Sequence, residues 1–369
     1  MLYLGIDQHA NQLTIDLGNE MGDLVLHRQV KTRSDFLRPF LDEVTKLAAP
    51  HGGILACVEV CGFNHYLLKM LEKYGIRVIM VQPSGRRKNK TDRRDARALR
   101  ETLWLNRNRL EEGKRPAEMR IVRPASETDA AERQLTTLQT RLTRHRTRTL
   151  NKIQTIVRKH NLQHERPTKG IQTKKARQWL ESLSLPEMDR FELDILLQQW
   201  IQVDQHLDQV KRKVQERRNV NEKAALLASL PGMGAFNSLS VACRLGDIDD
   251  FPRGSSLANF LGLTPGSRNS GETYTCLRIT KAGSGHVRYV LGQVTLHVLR
   301  QDAWMRQWYQ KIKRRRGSKI ARVAVMRRLA TIIWAMLKHG MPYVKGGPEK
   351  FREALANHQQ LSAATGGAQ

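Results

Sequence analysis

The hydrophobic pattern of the N-terminal third changes its period several times, and each change predicts a new element. Short apolar or alternating runs at Leu2–Ile6, Gln12–Leu17 and Leu24–Val30 are typical of β-strands, and the last two form a hairpin pattern around a turn-rich GNEMGD. A helical stripe from Phe36 to Leu47 follows, and Ile54–Val60 then has the pattern of a buried strand. Three strands, a helix and a fourth strand are therefore predicted in this order.

The same alternation of elements continues to about residue 105. Tyr66–Tyr74 has helical spacing, Arg77–Val81 has a strand pattern, and apolar residues recur at helical spacing from about Thr91 to Leu105. The complete order, βββαβαβα, is that of a ribonuclease-H-like domain, in which three meandering strands precede two right-handed parallel crossovers. In this topology the fourth strand lies beside the first.

Four carboxylates occupy corresponding ends of these elements. Asp7 ends the first strand, Glu59 lies near the end of the fourth, and Asp92 and Asp95 lie three residues apart where the last helix begins. We expect them to converge. Like charges about 4 Å apart repel by about 4 kcal/mol at an effective dielectric constant near 20, so the cluster requires protons or a divalent cation. Oxygen ligands favour Mg²⁺ or Mn²⁺. Taken singly, each acid also fits an ordinary strand end, buried ion pair or capped surface helix.

The middle of the chain has the pattern of long charged helices. Two prolines and a shift in composition at Gly113–Ser126 predict a domain boundary. Glu127–Arg217 is then helical in pattern, with an interruption at Gln163–Thr173, and Phe191–Arg217 resumes as one long helix. Paired long helices of this kind typically form an antiparallel or intermolecular coiled coil.

The last third begins after a polar break at Asn219–Asn221. Leu230–Ala235 (LPGMGA) lies between helical patterns, like the hairpin of helix-hairpin-helix modules, whose glycines let backbone N–H groups approach phosphate. Amphipathic stripes at Val287–Val298 and Val325–Met336 predict two more helices. The tail loses its pattern and is predicted to be disordered.

These patterns divide the chain into four predicted segments. Residues 1–120 form the α/β, ribonuclease-H-like domain, and residues 121–220 form a basic helical segment. Residues 221–345 form a mainly α-helical domain, and residues 346–369 form the disordered tail.

The main observation that composition adds is a large positive charge. Lys and Arg number 63 against 35 Asp and Glu, a formal net charge of +28, which favours a polyanionic partner. Nucleic acid is the first candidate and an anionic membrane surface the alternative. No segment approaches the ~18 uninterrupted apolar residues of a spanning helix, and the N-terminus lacks the layout of a signal peptide. The four cysteines lack Cys-x-x-Cys spacing, which favours neither zinc nor disulfides and fits a reducing cytoplasm.

The cations predicted to contact nucleic acid form four groups. They are Arg86, Arg87, Lys88 and Lys90 before the Asp92 helix; Arg141, Arg144, Arg148 and Lys152 in the middle segment; Arg268, Arg278 and Lys281 in the last third; and Lys313, Arg314 and Arg315 between the two amphipathic stripes. A solvated helix face is the alternative for the middle group, and the net charge favours phosphate contact.

Ser270 is the candidate nucleophile of the last third. It lies among glycines and a proline that predict exposed, irregular backbone, and cations surround it in sequence. A serine in that setting fits attack on a phosphate. The alternatives are a phosphate-contacting serine and a purely structural turn serine.

Six motifs occur together in the order and spacing of a known family. GID near the N-terminus, VEVCGFNHY, NKTDRRDAR, LPGMG, FLGLTPGSRNSG and ITKAGSGHVR resemble the DEDD insertion-sequence transposases of the one-ten and eleven-eleven families over about Met1–Tyr343. Two departures are the sequence Glu-Val-Cys-Gly at Glu59–Gly62, where Glu-Ala-Thr-Gly is usual, and two extra residues within Lys281–His286. The middle segment is also longer than is usual in the family.

The resemblance implies a fold and a mechanism. It implies a RuvC-like N-terminal domain, a coiled-coil middle and a C-terminal transposase domain. Asp7, Glu59, Asp92 and Asp95 would hold Mg²⁺ or Mn²⁺, and Ser270 would form a covalent phosphoserine link to DNA. Arg268, Arg278 and Lys281 are candidates to stabilise the developing charge.

The resemblance also implies partners. A bridge RNA from the element would pair with donor and target DNA, so that base pairing selects the sequence. A homo-oligomer, dimer or tetramer, is expected in the prokaryotic cytoplasm, associated with the nucleoid and not with a membrane.

Two other functions remain open at this point. One is a RuvC-like nuclease or junction resolvase that uses water, for which Ser270 would be dispensable. The other is a non-catalytic nucleic-acid-binding protein with a degenerate ribonuclease-H fold, against which the intact set of four acids argues.

Overall fold

The chain folds into two compact units, Met1–Pro124 and Ala125–Gln369. The computed structural model describes residues 1–82, 92–114, 116–117, 119–270 and 273–366; for 267–270, 273–276 and 361–366 it describes the backbone alone. The first unit ends within Gly113–Ser126, where the sequence predicts a boundary. Each unit is described separately below.

The first unit is built on a sheet with the strand order β3-β2-β1-β4-β5-β6. Its strands are β1 Leu2–Gln8, β2 Gln12–Gly18, β3 Leu24–Lys31, β4 Ile54–Glu59, β5 Arg77–Val81 and β6 Ile121–Val122. β1, β2 and β3 pair antiparallel, whereas β4 is parallel to both β1 and β5. The fourth strand therefore lies beside the first, as predicted. β6, antiparallel to β5, is only two residues long, too short to produce a periodic pattern.

Helices cover both faces of this sheet. They are α1 Ser34–Ala48, α2 Asn64–Lys73, α3 Asp92–Leu105 and the short α4 Arg107–Glu111. Leu4 and Ile6 of β1 share a buried cluster with residues of α1 and α2, and Tyr3 shares another with Leu99 and Leu103 of α3. Because β1 is buried on both faces, its sequence is apolar without alternation.

The second unit is mainly helical. Its elements are α5 Glu127–Lys159, α6 Lys174–Ser182, α7 Glu187–Val220, α8 Glu222–Leu227, α9 Ala235–Leu245, α10 Gly254–Phe260, β7 Pro265–Ser270, β8 Thr273–Ile279, α11 Gly285–Gln301, α12 Ala303–His339 and α13 Pro348–Gly366. None of the helices in the described part of the chain has the length and apolar character needed to cross a bilayer.

The two longest helices of the middle segment, α5 and α7, pack antiparallel within one chain. The end of α5 meets the start of α7 at Lys159–Asp189, 2.8 Å between Nζ and Oδ1. The start of α5 meets the end of α7 at Glu132–Arg217, 3.2 Å. The antiparallel pairing expected from the sequence is therefore intramolecular, whereas supercoiling remains a prediction.

This helix pair is continuous with the rest of the second unit. Arg133 donates a 2.6 Å hydrogen bond from Nε to the carbonyl of Cys243, and Arg244 donates to the hydroxyls of Thr136 and Thr137 at 2.9 and 3.0 Å. These contacts join α5 to α9. The predicted division near residue 220 therefore does not separate two compact units.

The C-terminal tail contains a helix. The sequence predicts disorder from residue 346, yet α13 begins at Pro348. Phe351 of α13 lies with its ring centroid 6.4 Å from that of His339, and it lines an apolar cavity of about 220 Å³ together with Trp304 and Ile332. The described part of the tail is therefore helical where the sequence predicts disorder, and Phe351 is an aromatic residue through which this helix contacts α12.

Candidate active site

The register of the sheet places two of the predicted acids at the same level. Ile6 of β1 pairs with Val58 of β4, so Asp7 and Glu59 are the next residues of the same parallel register. Parallel neighbours lie about 4.8 Å apart, and residues at the same level point to the same face. Tyr3 and Cys57 belong to the buried cluster under α3. Alternate residues of a strand share a face, so Asp7, four residues after Tyr3, and Glu59, two residues after Cys57, also lie on the α3 face.

α3 passes directly over β1 because Gly5 has no side chain. A Cβ at Gly5 would lie 2.1 Å from the carbonyl oxygen of Ala96, far inside van der Waals contact. Asp92 precedes Ala96 by four residues, about 6 Å along the helix. Asp7 follows Gly5 by two residues, about 6.6 Å along the strand. The close backbone approach at Gly5 therefore fixes the position of α3 along β1, and Asp92 lies at about the level of Asp7.

His9 lies between these two carboxylates. Its Nε2 is 3.1 Å from Oδ2 of Asp7 and 3.4 Å from Oδ1 of Asp92. Each of the three residues offers a potential ligand atom within 4.8 Å of the others, and we call them the Asp–His–Asp cluster. The Asp7 side chain is only 15% exposed, whereas His9 and Asp92 are nearly half exposed. The cluster is thus open to solvent on one side.

Burial and repulsion act together on Asp7. Burial raises the pKa of Asp7, the neighbouring His9 lowers it, and the charges of Asp95 and Asp92 raise it further. Asp95 therefore lies within electrostatic range of Asp7. The structure brings Asp7, Asp92 and Asp95 together, and the sheet register places Glu59 on the adjoining strand end.

A buried asparagine fixes the turn that follows Glu59. Nδ2 of Asn64 donates to the carbonyl of Glu59 at 3.1 Å and to Oε1 of Gln8 at 2.8 Å, and its Oδ1 accepts from the N–H of Cys61. These bonds tie the ends of β1 and β4 together. Removing Asn64 would leave buried polar groups unpaired beside the acids.

The buried ion pair Arg100–Asp16 holds α3 on the sheet. The two side chains are 5% and 4% exposed, and Arg100 also donates from Nη1 to the carbonyl of Gly22 at 2.8 Å. Breaking such a pair by removing one partner leaves a buried charge uncompensated. The pair therefore fixes the helix that carries Asp92 and Asp95.

The donor atoms of this region fit a divalent cation. Carboxylate oxygens suit Mg²⁺ and Mn²⁺, and an imidazole nitrogen suits transition metals. The electrostatic crowding on Asp7 is relieved by a positive charge, which His9 supplies when protonated and a metal ion would supply when bound. A metal ion bound here would therefore meet one nitrogen in addition to the expected oxygen ligands.

Two residues of this region, His9 and Asn64, were not predicted from the sequence. His9 follows Asp7 by two residues, the spacing that keeps two side chains on one face of an extended chain. Asn64 stands where α2 begins, a position at which a polar side chain often pairs with backbone N–H groups. Both patterns are visible in the sequence, but neither is specific without the structure.

Ser270 ends a strand. β7 pairs antiparallel with β8, and Ser270 stands opposite Thr273 in the register. The predicted irregular backbone is therefore limited to a register shift between Pro265 and Ser267, and the rest of Pro265–Ser270 is paired as a strand, because glycine and proline do not prevent pairing at a sheet edge. The side chains of Ser270 and Arg268 lie outside the described part of the chain.

Close backbone packing joins the base of this hairpin to the following motif. The N–H of Lys281 donates to the carbonyl of Gly262 at 3.1 Å, and Lys281 has φ 55°. A Cβ at Gly283 would lie 2.0 Å from the carbonyl oxygen of Phe260. The motifs FLGLTPG and KAGSG therefore lie side by side.

The other basic residues near this hairpin differ in their surroundings. Arg278 and Lys281 are exposed, whereas Arg288 donates to the carbonyls of Leu261 and Gly283 at 3.0 and 2.6 Å. His286 is half-buried, and burial lowers its pKa to about 4. Only Arg278 and Lys281, among the described cations of this region, are placed to meet a ligand.

The glycines of LPGMG, between α8 and α9, have separate roles. Gly232 has φ +86°, and a Cβ there would lie 2.7 Å from that of His297 in α11. Close packing thus accounts for Gly232. Gly234 immediately precedes α9, and a Cβ there would meet nothing within 4 Å. Only Gly234 therefore remains for the predicted approach to phosphate.

The predicted basic positions of the middle segment form a stripe on α5. Arg141, Arg144, Arg148 and Lys152 are all exposed and follow one another at intervals of three or four residues. Arg146, in contrast, forms an ion pair with Asp204 of α7. Arg86, Arg87, Lys88 and Lys90 lie outside the described residues.

Two family models match this chain. A family model of IS110-type DEDD transposases matches residues 4–161, the range that holds Asp7, Glu59, Asp92 and Asp95. A model of the transposase IS116/IS110/IS902 family matches residues 224–310, which include Ser270.

Two of the relatives match this chain over most of their length, and a third matches over a shorter stretch. The transposase for insertion sequence element IS1111A of Coxiella burnetii is 26% identical over 358 residues, 92% of this chain and 90% of the relative. The transposase for insertion sequence element IS1328 of Yersinia enterocolitica is 23% identical over 341 residues, 90% and 98% of the two chains. The pilin gene-inverting protein of Moraxella bovis is 27% identical over 129 residues, 34% and 40% of the two chains. With two family models matching in chain order, and with relatives aligned nearly end to end, the chain belongs to the IS110/IS116 family of DEDD transposases.

Proposed function

We propose that this transposase is a site-specific recombinase that cuts and rejoins donor and target DNA through a covalent phosphoserine intermediate. The observation that carries the proposal is the Asp–His–Asp cluster, whose potential ligand atoms lie within 4.8 Å of one another. Transposition requires DNA strands to be broken and joined, and a cation-binding acidic centre at the end of a sheet suits chemistry on a phosphodiester.

The carboxylates are proposed to hold a divalent metal, Mg²⁺ or Mn²⁺. Asp7 and Asp92 would be ligands through the oxygens that now contact His9, with Asp95 and Glu59 beside them. A bound cation would supply positive charge to polarise the scissile phosphate. The four acids would otherwise repel the DNA backbone, so their own role is to hold that charge where the phosphate binds.

Ser270 is proposed as the nucleophile. Its hydroxyl oxygen would bond to phosphorus while the bond to one deoxyribose oxygen breaks, and that oxygen would leave as a hydroxyl with the proton. Rejoining reverses the step, because a deoxyribose hydroxyl attacks the phosphoserine and restores the serine. Arg278 and Lys281 are exposed and would stabilise the transferring phosphate, together with Arg268.

A guide RNA is proposed to choose the DNA sites. The net charge of +28 suits a protein that binds RNA and DNA at once. Base pairing between an element-encoded bridge RNA and both DNAs would supply specificity, so specific DNA binding should require the RNA. Lys and Arg of the α5 stripe would contact phosphates of either strand, and the protein would act as a dimer or tetramer.

The alternative function is a metal-dependent nuclease that uses water. One observation favours it, namely that all four predicted acids belong to the first unit, where water could replace a serine hydroxyl. A non-catalytic role is less well supported, since acids that repel one another would then serve no purpose.

A denaturing gel with end-labelled donor and target DNA separates these functions. The wild-type protein should give a protein–DNA adduct that protease removes, Ser270→Ala should give none, and Ser255→Ala should behave as wild type. Ser255 is an exposed serine of α10 and serves as the matched control. If Ser270→Ala cleaves and rejoins DNA at the normal rate, the serine assignment is wrong and the nuclease replaces it.

A further inference from the structure

α12 is a helical hairpin. Gly317 interrupts it with φ 81° and ψ 165°, a conformation that is essentially restricted to glycine. The guanidinium of Arg328 lies 5.1 Å from the ring centroid of Trp304 and 5.4 Å from that of Trp308. In one straight helix residues 304 and 328 would be about 36 Å apart. The chain therefore turns back at Gly317, and the two halves of α12 are antiparallel helices.

The base of the hairpin is packed and its distal end is not. Trp304 and Trp308 stand with their ring planes 6° apart, Met305 is buried, and Ala321 is the next buried residue along the chain. Between them, every residue from Lys313 to Ile320 is exposed, and Ile320 is 55% exposed. We call residues 311–322 the basic tip. Core packing thus accounts for the base of the hairpin but not for the charged residues of the tip.

The tip carries charge of one sign only. Its cations are Lys311, Lys313, Arg314, Arg315, Arg316, Lys319 and Arg322. α12 has neither Asp nor Glu in its 37 residues. Within the described part of the chain, none of the seven takes part in an ion pair. Like charges three or four residues apart, such as Lys311 and Arg315, destabilise a helix. A polyanion bound at the tip would neutralise this repulsion and so stabilise the helices.

We propose that the basic tip inserts across a groove of duplex DNA and neutralises phosphates on both flanking backbones. The inference rests on the proposed function only in taking DNA as the ligand. It adds a DNA-holding element that is separate in sequence from both the acids and Ser270.

The shape of the tip favours duplex DNA over double-stranded RNA. Packed helices lie about 8–10 Å apart, and the tip has cations on both helices, on either side of Gly317. The major groove of B-DNA is about 12 Å wide and admits one α-helix, so one helix of the tip would enter the groove while its partner lies along a flanking backbone. The major groove of A-form RNA is deep and narrow, and side chains cannot enter it.

The test is the salt dependence of binding by the full-length chain to a DNA duplex and to an RNA duplex of the same length. The tip variant replaces Lys313, Arg314, Arg315 and Lys319 by Gln, which keeps helix propensity. The control variant replaces four other exposed lysines by Gln: Lys73, Lys169, Lys174 and Lys175. For DNA, the slope of log affinity against log salt should fall by up to about 3.6 in the tip variant, at about 0.9 for each phosphate that is no longer neutralised. The control variant should change that slope by less than about 0.9, the value for a single phosphate.

A second variant tests shape without altering charge. Gly317→Ala keeps all seven cations but cannot adopt the turn without strain, so DNA affinity should fall while affinity for the RNA duplex does not. Far-UV circular dichroism and a thermal melt establish that both variants are folded.

The outcomes are distinct. Equal reductions in slope for the tip and control variants would overturn the inference, as would a reduction confined to RNA, which would make the tip a guide-RNA contact. If the wild-type chain binds duplex DNA without salt dependence, the proposed function fails as well. If wild type behaves as expected and the tip variant does not differ from it, only the inference fails.

Discussion

At the scale of single residues, the acidic centre depends on His9, the side chain that lies between two of its carboxylates. His9 contacts both Asp7 and Asp92 through one nitrogen atom. A protonated imidazole at this position would neutralise part of their repulsion, and a neutral imidazole could bind a metal ion. The role of His9 can therefore be measured as metal affinity, independently of DNA cleavage.

We expect His9→Ala to weaken Mn²⁺ binding by about tenfold or more, in the range found for groups that support metal ligands. Isothermal titration calorimetry of the full chain measures the affinity, and His51→Ala, at an exposed histidine of the same unit, is the control. Unchanged Mn²⁺ affinity in His9→Ala would show that His9 is not a metal ligand and only offsets the charge of the carboxylates.

A second expectation follows from the raised pKa of Asp7. Its folded-state pKa lies above the unfolded value of about 3.9, so folding is favoured when Asp7 is protonated and loses stability as pH rises through the folded-state pKa. Without metal, Asp7→Asn should therefore be more stable than wild type at pH 7. The difference should vanish below about pH 3.5. Thermal melts in chelator at the two pH values measure it, and a less stable variant at pH 7 would contradict the direction of the pKa shift.

At the scale of elements, the position of α3 decides whether the acids meet. Gly5 admits the helix backbone, and the Arg100–Asp16 pair holds it there. Gly5→Ala should push α3 away, because its Cβ would collide with a backbone atom that cannot rotate aside. Overpacking of this kind costs about 1–3 kcal/mol.

The measurement for Gly5→Ala is chemical denaturation together with Mn²⁺ titration. We expect lower stability and weaker metal binding. Gly292→Ala is the control, since a Cβ at Gly292 would meet nothing within 4 Å. Retained metal affinity in folded Gly5→Ala would show that the acids tolerate a displaced helix.

The elements also show what a single sequence can predict. The strands and α3 were predicted because burial on a sheet or helix imposes a period on many residues at once. The same periods place Asp7 and Glu59 near strand ends, and in the structure they are the last but one residue of β1 and the last residue of β4. His9 and Asn64 are single polar residues, and no hydrophobic periodicity in the sequence predicts their roles. β7 was missed because Gly266 and Pro265 favour turns locally, whereas pairing with β8 is a non-local effect.

At the scale of the whole molecule, the proposed chemistry draws on both compact units. The acids belong to Met1–Pro124 and Ser270 belongs to Ala125–Gln369. No acid near Ser270 in sequence other than Glu272 could act as its base, so we expect the metal centre to activate the serine. The two groups can come from one protomer or from two.

Mixing two inactive variants distinguishes these cases. Ser270→Ala and Asp92→Ala should each be inactive alone. If Ser270 of one protomer serves the acids of another, the mixture should regain up to about a quarter of wild-type activity in a random dimer with one intact site in four. Strand exchange on labelled DNA is the readout, with each variant mixed with itself as the control. No recovery from a mixture that forms mixed oligomers would assign both groups to one protomer.

The antiparallel pairing of α5 with α7 constrains how this molecule can change its length. Glu132 meets Arg217 and Lys159 meets Asp189, so the residue numbers of partners sum to nearly the same value along the whole pair. Seven residues added to one helix alone would shift every contact beyond the insertion out of register. Seven residues added to both helices at matching positions would lengthen the pair and keep the contacts. Insertions and deletions in this segment should therefore occur as compensated pairs, and a chimaera that exchanges one of the two helices between homologues of unequal length should fail to fold.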